Sequence, residues 1–212
     1  MRLLAIDTAA NLCAACVWDT DAGERGRAVL DLGKGHAEHL MGAIDAALKA
    51  AGSTYADLDG IAVSVGPGSF TGVRVGVAAA RGLALALGIP AVGVSTLEAL
   101  AREARDASPG RPVVSRIEAG RGQVYLAGFS AAGEATFGPV ALDVAAAEDV
   151  IGKAGEDAVL ATGKTADIAT YARIGAERLA SGVAIGRPKP LYLREADARP
   201  QDAFALPRKA GA

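Results

Sequence analysis

The sequence predicts an α/β protein of two similar domains with mixed sheets, of which the second is reduced. Its 212 residues, 51% of them hydrophobic, can bury one good core or two small ones. Each half begins with antiparallel strands joined by turns and continues as helix, strand and helix, and Ser108–Pro112 between them is typical of a linker. We therefore expect domains at 1–107 and 108–187, with a tail at 188–212 that packs back on the first domain.

The first half is expected to form a three-stranded meander followed by alternating helices and strands. One apolar stripe predicts the helix His36–Ala51, and Gly52 ends it. Ser95 or Thr96 caps a later helix that runs to about Asp106. The remaining elements are strands at Arg2–Asp7, Leu12–Trp18, Glu24–Leu32, Ile61–Val65 and Ile89–Val94, and a long helix at Val73–Leu87.

The second half repeats this order with shorter elements. Turn residues and apolar runs predict strands and helices at similar intervals. The expected strands are Val113–Glu118, Gln123–Phe129, Glu134–Phe137 and Ala158–Thr162, the helices are Val144–Ile151 and Ala166–Ser181, and Pro188–Arg194 is extended.

The composition argues against two classes of partner. A net charge of −2 gives no basic surplus, so we do not expect this chain alone to bind nucleic acid. The uncharged stretch Gly82–Leu97 is interrupted by glycine and proline, which argues against a membrane-spanning helix there. Met1–Asp7 reaches an acid too early for a signal peptide, so a cytoplasmic location is expected.

The segment Ser64–Gly76 is the most distinctive motif, a strand end followed by a glycine-rich turn and the start of the long helix. Such a turn can bind phosphate. However, Val73-Arg74 stands where a Walker motif requires lysine and a hydroxyl residue. Thr71 replaces the last glycine of a dinucleotide fingerprint, and Pro67 lacks a backbone donor. The loop therefore indicates close packing more than phosphate binding.

The long helix carries a row of small residues. Gly72, Gly76, Ala80 and Ala84 recur every fourth residue, while Arg74 and Arg81 lie on roughly the opposite face. Such a row lets another helix approach closely, either from His36–Ala51 or from another chain. If it faces another chain, Gly76→Leu should weaken pairing with that chain.

Asp7 and Thr8 end the first strand. A carboxylate there could hold nucleotide-bound magnesium, so ATP with magnesium is a possible ligand. The alternative is a turn in which the aspartate bonds its own backbone. The Gly163-Lys164-Thr165 segment lacks the leading glycine of a phosphate loop.

Two further pairs are interpreted as structural. His36 and His39 lack a third ligand, so we expect solvated residues at a helix start and no bound metal. Cys13 and Cys16 lie three apart on a strand, where a disulfide cannot close, and are expected to be buried and inert. We identify no catalytic residue in the sequence.

Four stretches resemble the bacterial TsaB (YeaZ) family: Leu4–Ala9, His36–Leu40, Asp59–Gly76 and Gly93–Leu97. The third is the most specific, and its loop residues are Gly66, Pro67, Gly68, Ser69, Phe70, Thr71 and Arg74. Pro190–Arg194 is similar to the family's ending. The match is dense in the first half and thin in the second.

The resemblance implies an actin/Hsp70-like (ASKHA) fold and a part in making threonylcarbamoyladenosine on tRNA, at the adenosine just after the anticodon. It implies a non-catalytic partner of the catalytic subunit TsaD, joined by the ATPase TsaE, with tRNA bound through the complex and a homodimer as a possibility in isolation. It also implies pairing through the helices of the first domain. We expect this interface to contain Leu40, Ala43, Ala47, Gly72, Gly76, Ala80 and Leu83.

One segment departs from the family pattern. In the family, the second domain usually opens with an Asp-Ala-Arg motif that ends in Glu-Val-Tyr. Here Glu118–Tyr125 has a longer first acid, a displaced arginine and Gln123 for the second acid.

The alternative functions are a stand-alone ATPase or kinase of the same fold and, more remotely, a metallopeptidase-like protein.

Overall fold

The strands of the computed structural model, which describes residues 1–182 and 186–193, form two sheets. The strands are β1 (Arg2–Asp7), β2 (Leu12–Asp19), β3 (Gly23–Asp31), β4 (Gly60–Ser64), β5 (Ala91–Val94), β6 (Val113–Gly120), β7 (Gln123–Phe129), β8 (Ala135–Asp143) and β9 (Val159–Thr162). The helices are α1 (His36–Ala50), α2 (Phe70–Leu87), α3 (Thr96–Ala107), α4 (Val144–Lys153) and α5 (Ile168–Ala180), and a short 3-10 turn covers Tyr55–Asp57.

The two sheets share one topology. The first has the order β3-β2-β1-β4-β5, in which β1 pairs antiparallel with β2 and parallel with β4. The second has the order β8-β7-β6-β9, with β6 antiparallel to β7 and parallel to β9. The second sheet therefore repeats the first without a described counterpart of β5. This confirms the prediction of two similar α/β units with mixed sheets, the second one reduced.

The sequence pattern located the elements well, with β8 as the main exception. The predicted strand Glu134–Phe137 extends in the structure as Ala135–Asp143. The longer strand includes Pro139, which cannot donate to a sheet ladder. Since β8 is an edge strand, it tolerates a proline. The tail residues 188–193 have no regular secondary structure, and Arg194 lies outside the described residues.

The first sheet is covered on both faces, and the side chains of β1 alternate between them. Leu4 and Ile6 join a core with α1 and α2. Ala5 points to the opposite core, which contains Tyr171 of α5. The same alternation places Cys13 in one core and Cys16 in the other, as expected for two positions three apart.

Two helices cross the predicted boundary at Ser108–Pro112. Helix α5 follows the second sheet in sequence but packs on β1, β2, β4 and β5, and its Gly175 is so close to Ala62 that a Cβ atom would clash. Helix α3 precedes the linker but packs on β6 and β9. A single core therefore combines Val92 of the first sheet with Val113 of the second. The domain boundary at residue 107 therefore remains a prediction, because a helix from each half packs on the sheet of the other half.

Helix α2 is, within the described ranges, the one helix long and apolar enough to cross a membrane by length and composition. The helix begins twelve residues before Gly82, where the uncharged stretch in the sequence starts. One face of α2, with Gly72, Val73 and Val77, is buried within the chain. A core helix meets the same criterion, so this finding by itself places nothing in a membrane.

Candidate functional site

The glycine-rich loop between β4 and α2 is held by backbone bonds from two neighbouring segments. The Ser69 amide donates to the Ala9 carbonyl oxygen at 2.6 Å, and the Thr96 amide donates to the Gly66 carbonyl oxygen at 2.9 Å. The Ser69 hydroxyl caps α2 by accepting from the Gly72 amide at 3.2 Å. The loop therefore uses these groups to join β1, β5 and α2, which agrees with a packing role.

The small residues of α2 face the end of β1. The Thr8 hydroxyl, fully buried, donates to the Gly72 carbonyl oxygen at 2.7 Å. A Cβ atom on Gly76 would stand 2.5 Å from the Thr8 hydroxyl oxygen, and one on Gly72 would clash with the Thr8 carbonyl oxygen. The first two residues of the predicted row thus face a strand end of the same chain, while α1 packs on α2 as one of the two alternatives proposed.

The structure corrects the predicted interface at the level of residues. Leu83 is partly exposed. The other six are buried in the chain's own core because α1 and α2 press these faces onto the first sheet: Leu40, Ala43, Ala47, Gly72, Gly76 and Ala80. They cannot contact a partner directly. Pairing through the helices α1 and α2 stays a prediction, but it requires other residues.

The outward faces of α1 and α2 expose apolar and small residues among charged ones such as Asp45 and Arg81. Leu85 is 82% exposed and Met41 is 45% exposed. Between Phe70 and Leu87 there is no acidic residue. We call the following residues the outer helix surface, since all are exposed and apolar or small: Met41, Gly42, Ala78, Gly82, Leu85 and Ala86. Contiguous exposed apolar surface commonly marks a protein-binding site.

Asp7 is buried at the end of β1 and is bonded by both halves of the chain. One carboxylate oxygen accepts from the Ala9 amide at 2.9 Å, and the other accepts from the Thr165 hydroxyl at 2.6 Å. Thr165 also bonds the buried Tyr171 hydroxyl at 2.8 Å. Burial raises the pKa of Asp7, and the bonds from Thr165 and Ala9 oppose that rise.

These contacts do not suit a magnesium-nucleotide site. Asp7 is 1% exposed and Thr8 is 0% exposed, and both side chains already bond within the chain. The predicted Asp7–Thr8 ligands therefore form a closed junction, which matches the turn alternative. Thr165 belongs to the Gly163–Thr165 segment, so the structure joins two segments that the sequence analysis treated separately. Their contact spans most of the chain, and no local pattern indicates it.

The histidine and cysteine pairs have different outcomes. His39 is exposed as expected, whereas His36, the first residue of α1, is only 7% exposed and is not the solvated residue that was predicted. Cys13 and Cys16 are buried and free, as predicted. Burial raises the pKa of both thiols, that of Cys16 to about 12, which favours inert thiols. The described residues contain no group of three side chains that could hold a metal ion.

The segment that departs from the family pattern forms the turn between β6 and β7. Glu118 is exposed and pairs with Arg116 at 3.0 Å, while Arg116 also pairs with Glu148 at 2.6 Å. Arg121 adopts a left-handed backbone with a φ of 55°. Glu118, which stands where the family usually has aspartate, therefore takes part in a surface ion-pair network that links β6 to α4.

The tail contains a feature that the sequence analysis missed. The Leu191 amide donates to the Val65 carbonyl oxygen at 2.8 Å, which holds the tail beside β4. The Arg74 Nε donates to the Tyr192 hydroxyl at 2.7 Å, and the Arg74 guanidinium stacks 3.7 Å from the Phe70 ring centroid. Residues 188–193 thus contact the first half, while residues 194–212 lie outside the described residues. Tyr192 carried no local signal, because its partners are distant in sequence.

The repeated strand order, with helices crossing between two mixed sheets, defines an α/β protein of the actin/Hsp70-like (ASKHA) class. The family model described as "TsaD: tRNA N6-adenosine threonylcarbamoyltransferase" matches residues 31–191. Together with the relatives below, this match shows that the chain belongs to the TsaB (YeaZ) family.

Two curated relatives are both named tRNA threonylcarbamoyladenosine biosynthesis protein TsaB. The Escherichia coli (strain K12) protein is 36% identical over 129 residues, which cover 61% of this chain and 55% of that protein. The Bacillus subtilis (strain 168) protein is 39% identical over 128 residues, covering 59% and 53%. The chain therefore spans about half the length of the curated relatives it matches.

A crystal structure extends the likeness over more of the chain. It is that of an uncharacterized Pseudomonas aeruginosa protein with similarity to the peptidase YEAZ, and it is 25% identical with a TM-score of 0.75. The match covers 91% of this chain and 99% of that one. The fold of the second half, where sequence similarity is thin, is therefore also shared.

Proposed function

We propose that this chain is a non-catalytic partner that activates TsaD in the transfer of a threonylcarbamoyl group to N6 of the tRNA adenosine just after the anticodon. Membership of the TsaB family supports the pathway, because the relatives are named for threonylcarbamoyladenosine biosynthesis. The observation that carries the partner role is the exposed outer helix surface, centred on Leu85.

The outer helix surface has the properties of a docking site for a folded protein. Met41 and Leu85 are large apolar side chains in water, and burying each contributes about 1.5–3 kcal/mol. Small neighbours such as Ala78 and Gly82 allow a partner helix to approach closely. The opposite faces of both helices are fixed in the core, so the surface is preorganised.

The closed end of β1 supports a role without catalysis. Asp7 and Thr8 use their polar atoms within the chain and are shielded from solvent. A catalytic carboxylate must reach its substrate. The reacting groups are therefore proposed to come from TsaD, and TsaE is proposed to join the pair.

Replacing one exposed leucine tests the interface. We expect Leu85→Glu to abolish co-elution with TsaD in size-exclusion chromatography, because it places a charge in an apolar contact. The matched control is Leu160→Glu on β9, where the leucine is 43% exposed, and it should co-elute like the wild type. Circular dichroism should show both variants folded. Wild-type co-elution of a folded Leu85→Glu chain would contradict the interface.

The pathway is tested in cells. We expect tRNA from cells that lack this protein to lose threonylcarbamoyladenosine, measured by mass spectrometry of the digested nucleosides. Re-expression of the wild type should restore the modification, and Leu85→Glu should not. Unchanged modification in the deletion strain would contradict the proposed function. If isolated chains dimerise through the same surface, TsaD should displace the dimer.

A further inference from the structure

One flank of α2 and the tail beside it carry exposed cations without acidic neighbours. Arg187 lines a cavity of about 490 Å³ together with Arg81 and Leu85, near the end of α2. Tyr192 bonds Arg74 near the start of α2, so the tail runs alongside the helix in the opposite direction. Neither α2 nor residues 186–193 contain aspartate or glutamate. The described part of this flank is therefore positively charged at both ends of α2.

Four cations are grouped on this flank without carboxylate partners, whereas many arginines elsewhere on the described surface are paired. Elsewhere in the described ranges, six arginine side chains form ion pairs with carboxylates, while Arg105 and Arg111 donate to backbone carbonyl oxygens. The six are Arg2, Arg27, Arg102, Arg116, Arg173 and Arg178. By contrast, Arg74, Arg81, Arg187 and Lys189 are exposed and have no carboxylate partner in the described ranges. A net charge of −2 thus conceals a local excess of positive charge.

At one end of the flank, two exposed rings surround a guanidinium. Phe70 is 58% exposed and Tyr192 is 52% exposed, and their ring centroids lie 5.7 Å apart. The Arg74 guanidinium carbon lies 3.7 Å from the Phe70 centroid and 5.5 Å from the Tyr192 centroid. The bond from Arg74 to Tyr192 holds the rings and the cation in this arrangement. Exposed aromatic faces and guanidinium planes are the groups on which unstacked bases stack.

We propose that this strip binds single-stranded RNA. A base stacks on Phe70, Arg74 and Tyr192, and backbone phosphates pair with Arg81, Arg187 and Lys189. From Phe70 to Arg81 the helix rises about 16 Å, which accommodates about four or five stacked nucleotides at 3.4 Å each. We call these six residues the RNA strip. The choice of RNA over DNA rests on the proposed function, whereas the stacking and phosphate chemistry does not.

A protein or a membrane fits the strip less well. An acidic protein would use the cations but would have no need of two exposed rings around one of them. A helix on an anionic membrane would also use arginines, but it would bury its apolar face in the lipid, and the face of α2 with Val73 and Val77 is already buried in the core. A single-stranded nucleic acid uses both the charge and the planar groups, because it carries a phosphate and a π face in every unit.

Fluorescence anisotropy with the purified full-length chain tests the proposal. The probe is a labelled ten-nucleotide single-stranded RNA, titrated at several salt concentrations. Arg81→Gln should weaken binding and lower the slope of log K against log salt by about 0.7, the value for one single-strand phosphate contact. Phe70→Ala should weaken binding about tenfold and leave the slope unchanged, because stacking releases no counterions.

The matched control is Arg25→Gln, which removes an exposed cation on β3 at the far edge of the first sheet. It should bind RNA like the wild type. The proposal is overturned if Arg81→Gln loses no more affinity than this control. It is also overturned if polyglutamate displaces the RNA at equal charge, or if binding to phosphatidylserine vesicles depends on the same residues and RNA binding does not.

Co-elution with TsaD separates this inference from the proposed function. Phe70→Ala and Arg81→Gln change exposed side chains, so the chain should stay folded, and circular dichroism checks this. A chain that pairs normally with TsaD but binds no RNA overturns the RNA strip alone. RNA binding that depends on the strip, in a chain that does not pair with TsaD, supports the strip and contradicts the partner role.

Discussion

At the scale of the residue, Asp7 shows how a polar side chain can be closed off by the fold. The carboxylate lies at the end of the central strand, where an exposed acid could bind a cation. Instead it accepts bonds from the Ala9 amide and the Thr165 hydroxyl and is 1% exposed. Buried polar groups of this kind stabilise a fold only while every bond is made.

We expect Asp7→Asn to fold and Asp7→Ala to be destabilised by about 1–3 kcal/mol. Asparagine keeps an acceptor for the Ala9 amide and a donor for the Thr165 oxygen. Alanine leaves both partners unsatisfied. The free energy of unfolding from urea titration distinguishes the variants. Equal stability of Asp7→Ala and the wild type would contradict the closed junction.

Asp7 should also make the free energy of unfolding depend on pH. Because burial raises the pKa of Asp7 above 3.8, its contribution to stability is fully present below pH 3.8 and is lost as the pH rises through the folded-state pKa. The wild type should therefore lose stability relative to Asp7→Asn as the pH rises. Urea titrations of both chains across that range measure this difference, and a constant difference would contradict the raised pKa.

At the scale of the element, one side of α2 is buried in the core and the other is exposed to solvent. Its buried side lies against Thr8, where Gly72 and Gly76 leave room for the strand end. Its outer side presents Leu85 to a partner, and one flank presents Arg74 and Arg81. Gly76→Leu, suggested by the sequence as a test of pairing, would thus disturb the core before it reached any partner.

Two glycine-to-alanine changes should have opposite effects on stability. Gly76→Ala places a Cβ atom 2.5 Å from the Thr8 hydroxyl oxygen and should cost about 1–3 kcal/mol. Gly82→Ala meets open space within the same helix and should stabilise the chain by up to about 1 kcal/mol. Urea unfolding measures both, and similar shifts for the pair would contradict the close contact of α2 with β1.

At the scale of the whole molecule, the two halves depend on each other. Helix α5 covers one face of the first sheet, and α3 packs on the second. Ion pairs reinforce this exchange, since Arg27 of β3 pairs at 2.8 Å with Asp167, next to α5, and Arg178 of α5 pairs with Glu98 of α3. Each half has a core on one face of its sheet, but the core between the sheets is built from both halves.

We expect the fragment 1–107 to remain unfolded, because without α5 one apolar face of its sheet would meet water. The intact chain should unfold in one cooperative step. Circular dichroism of the fragment and urea titration of the full chain, followed by two different probes, measure these properties. A folded fragment, or two separate transitions, would support independent domains at the predicted boundary and contradict the shared core.

The sequence predicts local features well and distant contacts poorly. The apolar stripe of α1, the apolar run of β1 and the turn glycines indicate their elements directly, because these signals lie within a few neighbouring residues. The bonds from Asp7 to Thr165 and from Arg74 to Tyr192 span 158 and 118 positions, and no local pattern encodes them. For the same reason, the sequence indicated that the row of small residues on α2 packs closely, but it did not indicate which element packs against that row.

The crossing of α5 also bears on how the chain is made. Synthesis proceeds from the first residue, so β1 to β5 emerge well before Ile168–Ala180, the helix that covers one face of their sheet. In a nascent chain, one apolar face of the first sheet therefore stays uncovered until α5 has been translated. The first sheet is therefore covered on both faces only after Ile168–Ala180 has left the ribosome, and chaperones can bind the exposed face in that interval.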